Sequence, residues 1–227
     1  MKIITADYRN KKFWEEKEAD KQEISCMEAV IVYPEILRQD IKGFGGAFTE
    51  SAAYCYSRLP KKEKENFLES YFGKDGLRYN LGRTHLNSCD FALSNYAADE
   101  EEDDRKLEKF SLEREEKYLF PLIRDAQEKR QEKIPLLLSP WSPPAYMKTN
   151  GDMNHGGFLK EEYYERWAQY LAKYVKEIRG RGFQTSWITV QNEPDAVQTW
   201  DSCRYTPSQE GNFAGNYLGP EFERQGL

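Results

Sequence analysis

Asn192-Glu193-Pro194 is the stretch of this chain best suited to do chemistry. It follows directly on Trp187-Ile188-Thr189-Val190-Gln191, which reads as a strand buried on both faces. A carboxylate leaving such a strand is costly to desolvate. The same burial raises a carboxyl pKa toward what a general acid needs near neutral pH. Asn192 stands where it can hydrogen-bond a sugar 2-hydroxyl, a contact that strengthens in an oxocarbenium-like transition state. Pro194 stops the strand and fixes the turn that aims Glu193. A plain surface turn is the alternative, and the apolar strand ahead of it favours the catalytic reading.

Arg83 closes a second polar cluster, near the end of Leu77–Leu86 (LRYNLGRTHL). Its planar fork suits a carboxylate across the mouth of a barrel, and equally a surface ion pair. His85 and Asn87 alternate with it and Asp90 follows; a lone imidazole there reads as a packed, hydrogen-bonded residue rather than a catalyst. Ser139-Pro140-Trp141-Ser142-Pro143-Pro144 is a proline-stiffened loop, and Trp141 within it fits either a sugar-stacking wall or the core. Two histidines and four cysteines (Cys26, Cys55, Cys89, Cys203) without metal spacing give no zinc site. The acidic run Asp99–Asp104 reads as a solvated loop, since calcium ligation needs interleaved Gly and Asn.

These residues need elements to hold them. Ile24–Tyr33 reads as a strand, and the preceding charged residues carry only weak order signals. Gly43–Phe48 is a Gly-rich strand end, after which Thr49 or Ser51 caps a short helix over Ala52–Tyr56. Pro60 opens a helix over Lys61–Phe72 that stops at Gly73. Glu113–Gln131 and Glu161–Arg181 read as long helices, with Trp167, Tyr170, Leu171, Tyr174, Val175 and Ile178 on one side of the second. Ile134–Ser139 (IPLLLS) is a fully apolar strand between them. The alternation is that of a parallel α/β sheet with its polar residues at C-terminal strand ends, where a (β/α)₈ barrel keeps its chemistry. About four βα units are legible where a closed barrel needs eight.

A net charge of −6 disfavours nucleic acid and anionic membranes as partners, because neutralising phosphate takes a basic face. The mean hydropathy of −0.87 fits a very polar surface or a core whose partner is missing. The N-terminus runs from Met1-Lys2-Ile3-Ile4-Thr5 into polar residues without an apolar signal segment, and no apolar run approaches the ~18 residues of a membrane span. Reduced cysteines in a cytoplasmic protein are the expectation.

Four segments, in this order, resemble the motifs of family-30 glycoside hydrolases, which include the glucosylceramidases: GFGGAFTES (Gly43–Ser51), NLGRTHLNSCDF (Asn80–Phe91), LLLSPWSPPAYMKTNG (Leu136–Gly151) and WITVQNEP (Trp187–Pro194). The resemblance runs from about Ile24 to the C-terminus. It implies an α/β fold, a partial (β/α)₈ TIM barrel. Residues 42–227 form its first half, and 1–41 an N-terminal segment giving a strand to a side β-domain. It implies a retaining mechanism on a β-linked glycoside or oligosaccharide, with no cofactor. Glu193 matches the general acid/base and Asn192 its substrate-binding partner; Arg83, Asp90 and Trp141 match positions lining the sugar subsite.

The family's nucleophile, a second Glu at the end of the seventh strand, has no counterpart in these residues. Retention takes two carboxylates ~5–5.5 Å apart, so little or no turnover is expected of the isolated chain. The alternative is an inactive remnant, or a sugar-binding half-barrel that needs a second chain. An open barrel edge predicts self-association or a complementing chain. Glucoside, xyloside, fucoside and β-1,6-glucan activities all occur on this scaffold, and fold alone does not choose among them. After Thr206-Pro207, where the family carries a charged helix, Gly211 and Gly215 each weigh against a helix by ~1 kcal/mol.

Overall fold

The computed structural model describes residues 2–18 and 30–227, and the chain divides into two compact units, Met1–Ile41 and Lys42–Leu227. In the first, β1 (Lys2–Asp7) and β2 (Lys12–Glu18) form an antiparallel hairpin with Lys2 opposite Glu18. The turn is organised by Asp7, whose carboxylate accepts from the backbone N–H groups of Arg9 (3.0 Å) and Asn10 (3.1 Å), an Asx turn. Lys2–Glu16 and Lys12–Glu15 ion pairs flank it. This hairpin corrects the weak-order reading of the N-terminus: β1 is exposed along its whole length and is joined to β2 by the Lys2–Glu16 ion pair as well as by the ladder. The strand expected over Ile24–Tyr33 lies outside the described residues up to residue 29. Residues 30–33 form no strand; the chain turns at Pro34, where the Ile36 N–H bonds Tyr33 O at 3.1 Å.

The second unit is built on four parallel strands in the order β3 (Gly45–Phe48), β4 (Leu81–Leu86), β5 (Leu136–Pro140), β6 (Thr185–Ile188). Glycines let the first two approach: a Cβ on Gly45 would stand 1.7 Å from Leu81 O, and one on Gly82 2.6 Å from the Phe48 ring. Between β3 and β4 run α1 (Glu50–Ser57) and α2 (Lys61–Phe72); Thr49 is the cap of α1, accepting from the Ala52 N–H at 3.3 Å. β4 starts at Leu81 rather than Leu77. The preceding residues are instead tied to the end of α2 by bonds from the Leu77 N–H to Ser70 O and the Tyr79 N–H to Tyr71 O.

The long helix expected over Glu113–Gln131 is two, α3 (Glu113–Lys117) and α4 (Leu119–Arg130), broken at Tyr118. Pro121 supplies the reason, since its ring collides with the carbonyl four residues back, that of Lys117. α5 (Tyr164–Gly180) follows a 3₁₀ turn over Glu161–Tyr163 and buries all six apolar residues of its expected face. They join Phe120, Ile123, Leu136, Leu138 and Phe183 in the core between sheet and helices. Each such side chain, fully buried, contributes about 1.5–3 kcal/mol.

A helix does form after Thr206, in spite of its glycines. A capping box between Thr206 and Gln209 starts α6 (Pro207–Phe213), a π-turn spans Ala214–Leu218, and α7 (Gly219–Gln225) completes it. Pro220 cannot continue an ordinary ladder through Asn216, and the Gly219 N–H bonds Ala214 O instead. Among the described residues no helix is long and apolar enough to cross a membrane. β3 and β6 each have one strand neighbour among the described residues, so the sheet has two open edges.

Candidate active site

Arg83 is the third residue of β4, and its guanidinium reaches residues on and beyond the next two strands. Its Nε donates to Ser139 Oγ on β5 (3.2 Å), and its Nη2 to Asn192 Oδ1 beyond β6 (2.7 Å). Its plane lies 4.5 Å from the centre of the Trp141 ring, a cation–π contact. A guanidinium only donates, so the oxygen of Asn192 faces it and the amide nitrogen is left with two N–H donors for a ligand. Thr189 joins through Ser139 Oγ at 2.8 Å. Arg83 makes no ion pair among the described residues, and three of its five N–H groups have no protein partner there.

Strand β6 ends at Ile188, three residues earlier than expected, yet sheet-like bonding persists. The Thr189 N–H bonds Leu138 O (2.9 Å) and the Asn192 N–H bonds Pro140 O (2.8 Å). Between them Gln191 turns inward, its Nε2 donating to Trp141 O (2.7 Å) and Asn192 O (2.9 Å), while its buried Oε1 has no partner. Glu193 then takes φ 47°, the left-handed region, directly before a proline. Both features are unfavourable for a side-chain-bearing residue, and such backbone strain collects where a side chain must be aimed. The turn is closed by the Ala196 N–H on Glu193 O and the Tyr205 N–H on Pro194 O, both at 2.9 Å. The Glu193 side chain is exposed, so the burial expected of a strand-exit carboxylate is not supplied by the described residues.

The other expected residues divide. Trp141 is 8% exposed and held between Arg83 and Gln191. Asp90 is exposed on the loop after β4 and joins none of these hydrogen bonds. His85 is buried: its Nδ1 donates to Asn87 O (2.6 Å) and its Nε2 accepts from the Glu50 N–H (3.1 Å). Those partners fix one neutral tautomer, and burial lowers its pKa, so it serves as a brace. Asp90's loop is anchored by Glu50, which accepts from the Leu93 N–H (2.7 Å) and pairs through both oxygens with Arg114.

The loop carrying Glu193 is tied to the loop after β5 by Lys148, which is fully buried and donates to Met153 O (2.9 Å) and Ser202 O (2.6 Å). Ser139, Gln191, Glu50, Arg114 and Lys148 were not singled out from sequence. Ser139 and Gln191 each had a signal, a polar residue at the end of an apolar strand.

Residues 41–225 match the glycosyl hydrolase family 30 TIM-barrel domain. The chain belongs to this family. Its four parallel strands are thus βα units of a TIM barrel, and the cluster around Arg83 sits at their C-terminal ends, the functional end of that fold. The mouse lysosomal acid glucosylceramidase is 34% identical over 196 residues, 82% of this chain and 38% of that protein. Putative glucosylceramidase 3 of Caenorhabditis elegans is 37% identical over 83% of this chain and 38% of its own length. Among solved structures, SrfJ from Salmonella typhimurium superposes with a TM-score of 0.89 at 41% identity, covering 98% of this chain and 50% of SrfJ. The chain therefore spans half or less of the length of these family-30 relatives.

Proposed function

We propose that this chain carries the acid/base side of a retaining β-glycosidase site. Glu193 would be the general acid/base, Asn192 the donor to the sugar 2-hydroxyl, and Arg83, Asp90 and Trp141 the lining of the subsite where cleavage occurs. The observation that carries the reading is the strained backbone of Glu193 beside an Asn192 amide whose oxygen is already held by Arg83. The free N–H groups of Arg83 support a second carboxylate, the nucleophile, contributed from beyond these residues. The substrate is a β-linked glycoside or oligosaccharide, in keeping with relatives named glucosylceramidase and endo-1,6-β-D-glucanase. We further propose that residues 1–41 belong to a side β-domain, a reading their hairpin supports, and that the protein is cytoplasmic, where buried thiols such as Cys89 and Cys203 stay reduced.

The test is release of nitrophenol from a panel of aryl β-glycosides by residues 1–227, with Glu193→Gln alongside. No release by either is expected, because one carboxylate cannot serve as both acid and nucleophile. Turnover that Glu193→Gln lowers would place the nucleophile within this chain. Turnover that survives Glu193→Gln would remove Glu193 from its role.

The two open edges of the parallel sheet support a second reading, that the isolated chain self-associates or takes up a complementing chain. Gly45, Ala47, Leu81, Leu137 and Trp187 line an open cavity of about 500 Å³ on this sheet. Sedimentation of residues 1–227 is expected to show concentration-dependent oligomers. A monomer at all concentrations, unfolding cooperatively, would refute it.

A further inference from the structure

Outside the Arg83 cluster, the feature with the most unbalanced chemistry is a groove of about 310 Å³ between α5, α7 and the loop Arg105–Leu107. Five cations line it, Arg105, Lys106, Lys173, Lys176 and Arg224, in a chain whose net charge is −6. Its two carboxylates are already engaged. Glu177 pairs with Arg181 outside the groove at 2.7 Å, and Glu221 pairs with Arg224. Lys173 and Lys176 donate to neutral oxygens, Leu107 O and Gln225 Oε1. Arg105, Lys106, Lys173 and Lys176 thus form no ion pair among the described residues, which leaves four cations around one small concavity.

The acidic run just upstream forms no ion pair with them among the described residues. Asp99 accepts from the Glu101 N–H and Glu100 from the Ala97 N–H; Glu101 pairs with Lys109, Glu102 accepts from Tyr163, and Asp104 accepts from the Lys109 N–H. These five carboxylates are turned to their own loop and to the start of α5. The loop holding Arg105 and Lys106 is itself fixed by bonds from the Arg105 N–H to Asp103 O (2.9 Å) and from Lys173 to Leu107 O.

We propose that this groove binds a small phosphate-bearing anion carrying at least two negative charges, such as a diphosphate or the phosphate end of a phosphorylated metabolite. Like charges held together repel, and a multivalent anion relieves that repulsion while accepting charge-assisted hydrogen bonds from Arg105 and the lysines. The volume lies at the small end of ligand sites, and the concavity suits a soluble ion better than a flat lipid surface. No aromatic side chain lines it, so the recognition is of charge and not of a stacked ring.

The probe is inorganic pyrophosphate, titrated calorimetrically into residues 1–227 at low ionic strength. Saturable one-to-one binding is expected, weakening as salt is raised. Lys106→Glu and Lys176→Glu, both on exposed positions, should each weaken it by about tenfold or more, the equivalent of one lost charge-assisted bond. Charge reversal of Lys61 and Lys62 on α2 should leave it unchanged. No saturable heat, equal loss in the α2 variant, or indifference to the groove variants would overturn the proposal. Binding to phosphatidylserine vesicles with none to pyrophosphate would also overturn it, in favour of a membrane contact.

Discussion

Arg114→Ala is expected to destabilise the chain by roughly 3–5 kcal/mol, and by more than Glu50→Ala does. Counting hydrogen bonds alone would rank the two equal, because each is half of the same bidentate pair. Their surroundings differ. The Glu50 side chain is 2% exposed and that of Arg114 34%. Removing the arginine strands a buried carboxylate with only the Leu93 N–H at 2.7 Å to stabilise it. Removing the glutamate frees an arginine that can turn to water, so that cost should be nearer ~3 kcal/mol. The double variant should cost less than the two single losses added together, by an amount a double-mutant cycle in urea measures. Equal single effects, or strict additivity, would show that the pair is no more than a surface contact. The consequence reaches the site, since Glu50 holds the loop that carries Asp90 and its own N–H holds His85.

How legible these features were in the sequence follows from what kind of burial each has. β5 and α5 were plain, because a strand covered on both faces writes a continuous apolar run and a half-covered helix writes its period. Thr49 and Gly73 marked their helix ends by backbone chemistry. The hairpin at Lys2–Glu18 was not legible, for β1 is exposed along its length and the turn is set by the Asp7 carboxylate, neither of which writes an apolar period. The α3–α4 break was readable in principle from Pro121, but the apolar spacing on either side masked it. At the site, Arg83, Trp141 and Asn192 could be ranked together because each was read near a strand end and falls in a family motif; 109 residues separate Arg83 from Asn192. Buried cross-links such as Gln191 to Trp141 and Lys148 to Ser202 join distant loops one residue at a time. They leave no period to read. For Glu193, position was legible, but its left-handed backbone and its exposure were not.

From about pH 8 upward the chain is expected to gain stability relative to Lys148→Met. The Lys148 side chain is 0% exposed, and its burial lowers the ammonium from 10.5 to about 8, outweighing the nearby Cys203, Asp152 and Asp201, which act to raise it. Unfolding returns the amine to water and to its ordinary value. Above about pH 8 the folded chain releases this proton while the unfolded chain keeps it, so the unfolded state binds more protons and stability grows with pH. Below that range both states are charged, and the buried ammonium is a constant handicap of roughly 3 kcal/mol, removed only above the unfolded value.

The thiols act in the opposite sense. Burial raises Cys203 from 9.0 to about 11 and Cys89 to about 12, and it also raises tyrosines such as Tyr170, Tyr174 and Tyr205, so from about pH 8 upward the unfolded chain loses protons that the folded chain retains, and stability falls. The gap between the wild-type and Lys148→Met urea midpoints should therefore shift in the wild type's favour from pH 8 to 10. In Lys148→Met the midpoints should fall from about pH 8 onward. The variant's absolute stability is shifted by two carbonyls left unpaired, so the shape of the curve and not its height carries the test. A gap between the two curves that stays constant from pH 8 to 10 would mean the ammonium is not desolvated. Deprotonation need not loosen the site, because a neutral amine keeps two N–H groups, as many as the Met153 and Ser202 carbonyls it bridges. The loop bearing Glu193 should then hold its place on both sides of the titration, and the pH effect should appear in stability without a matching change in protease access to residues 194–205.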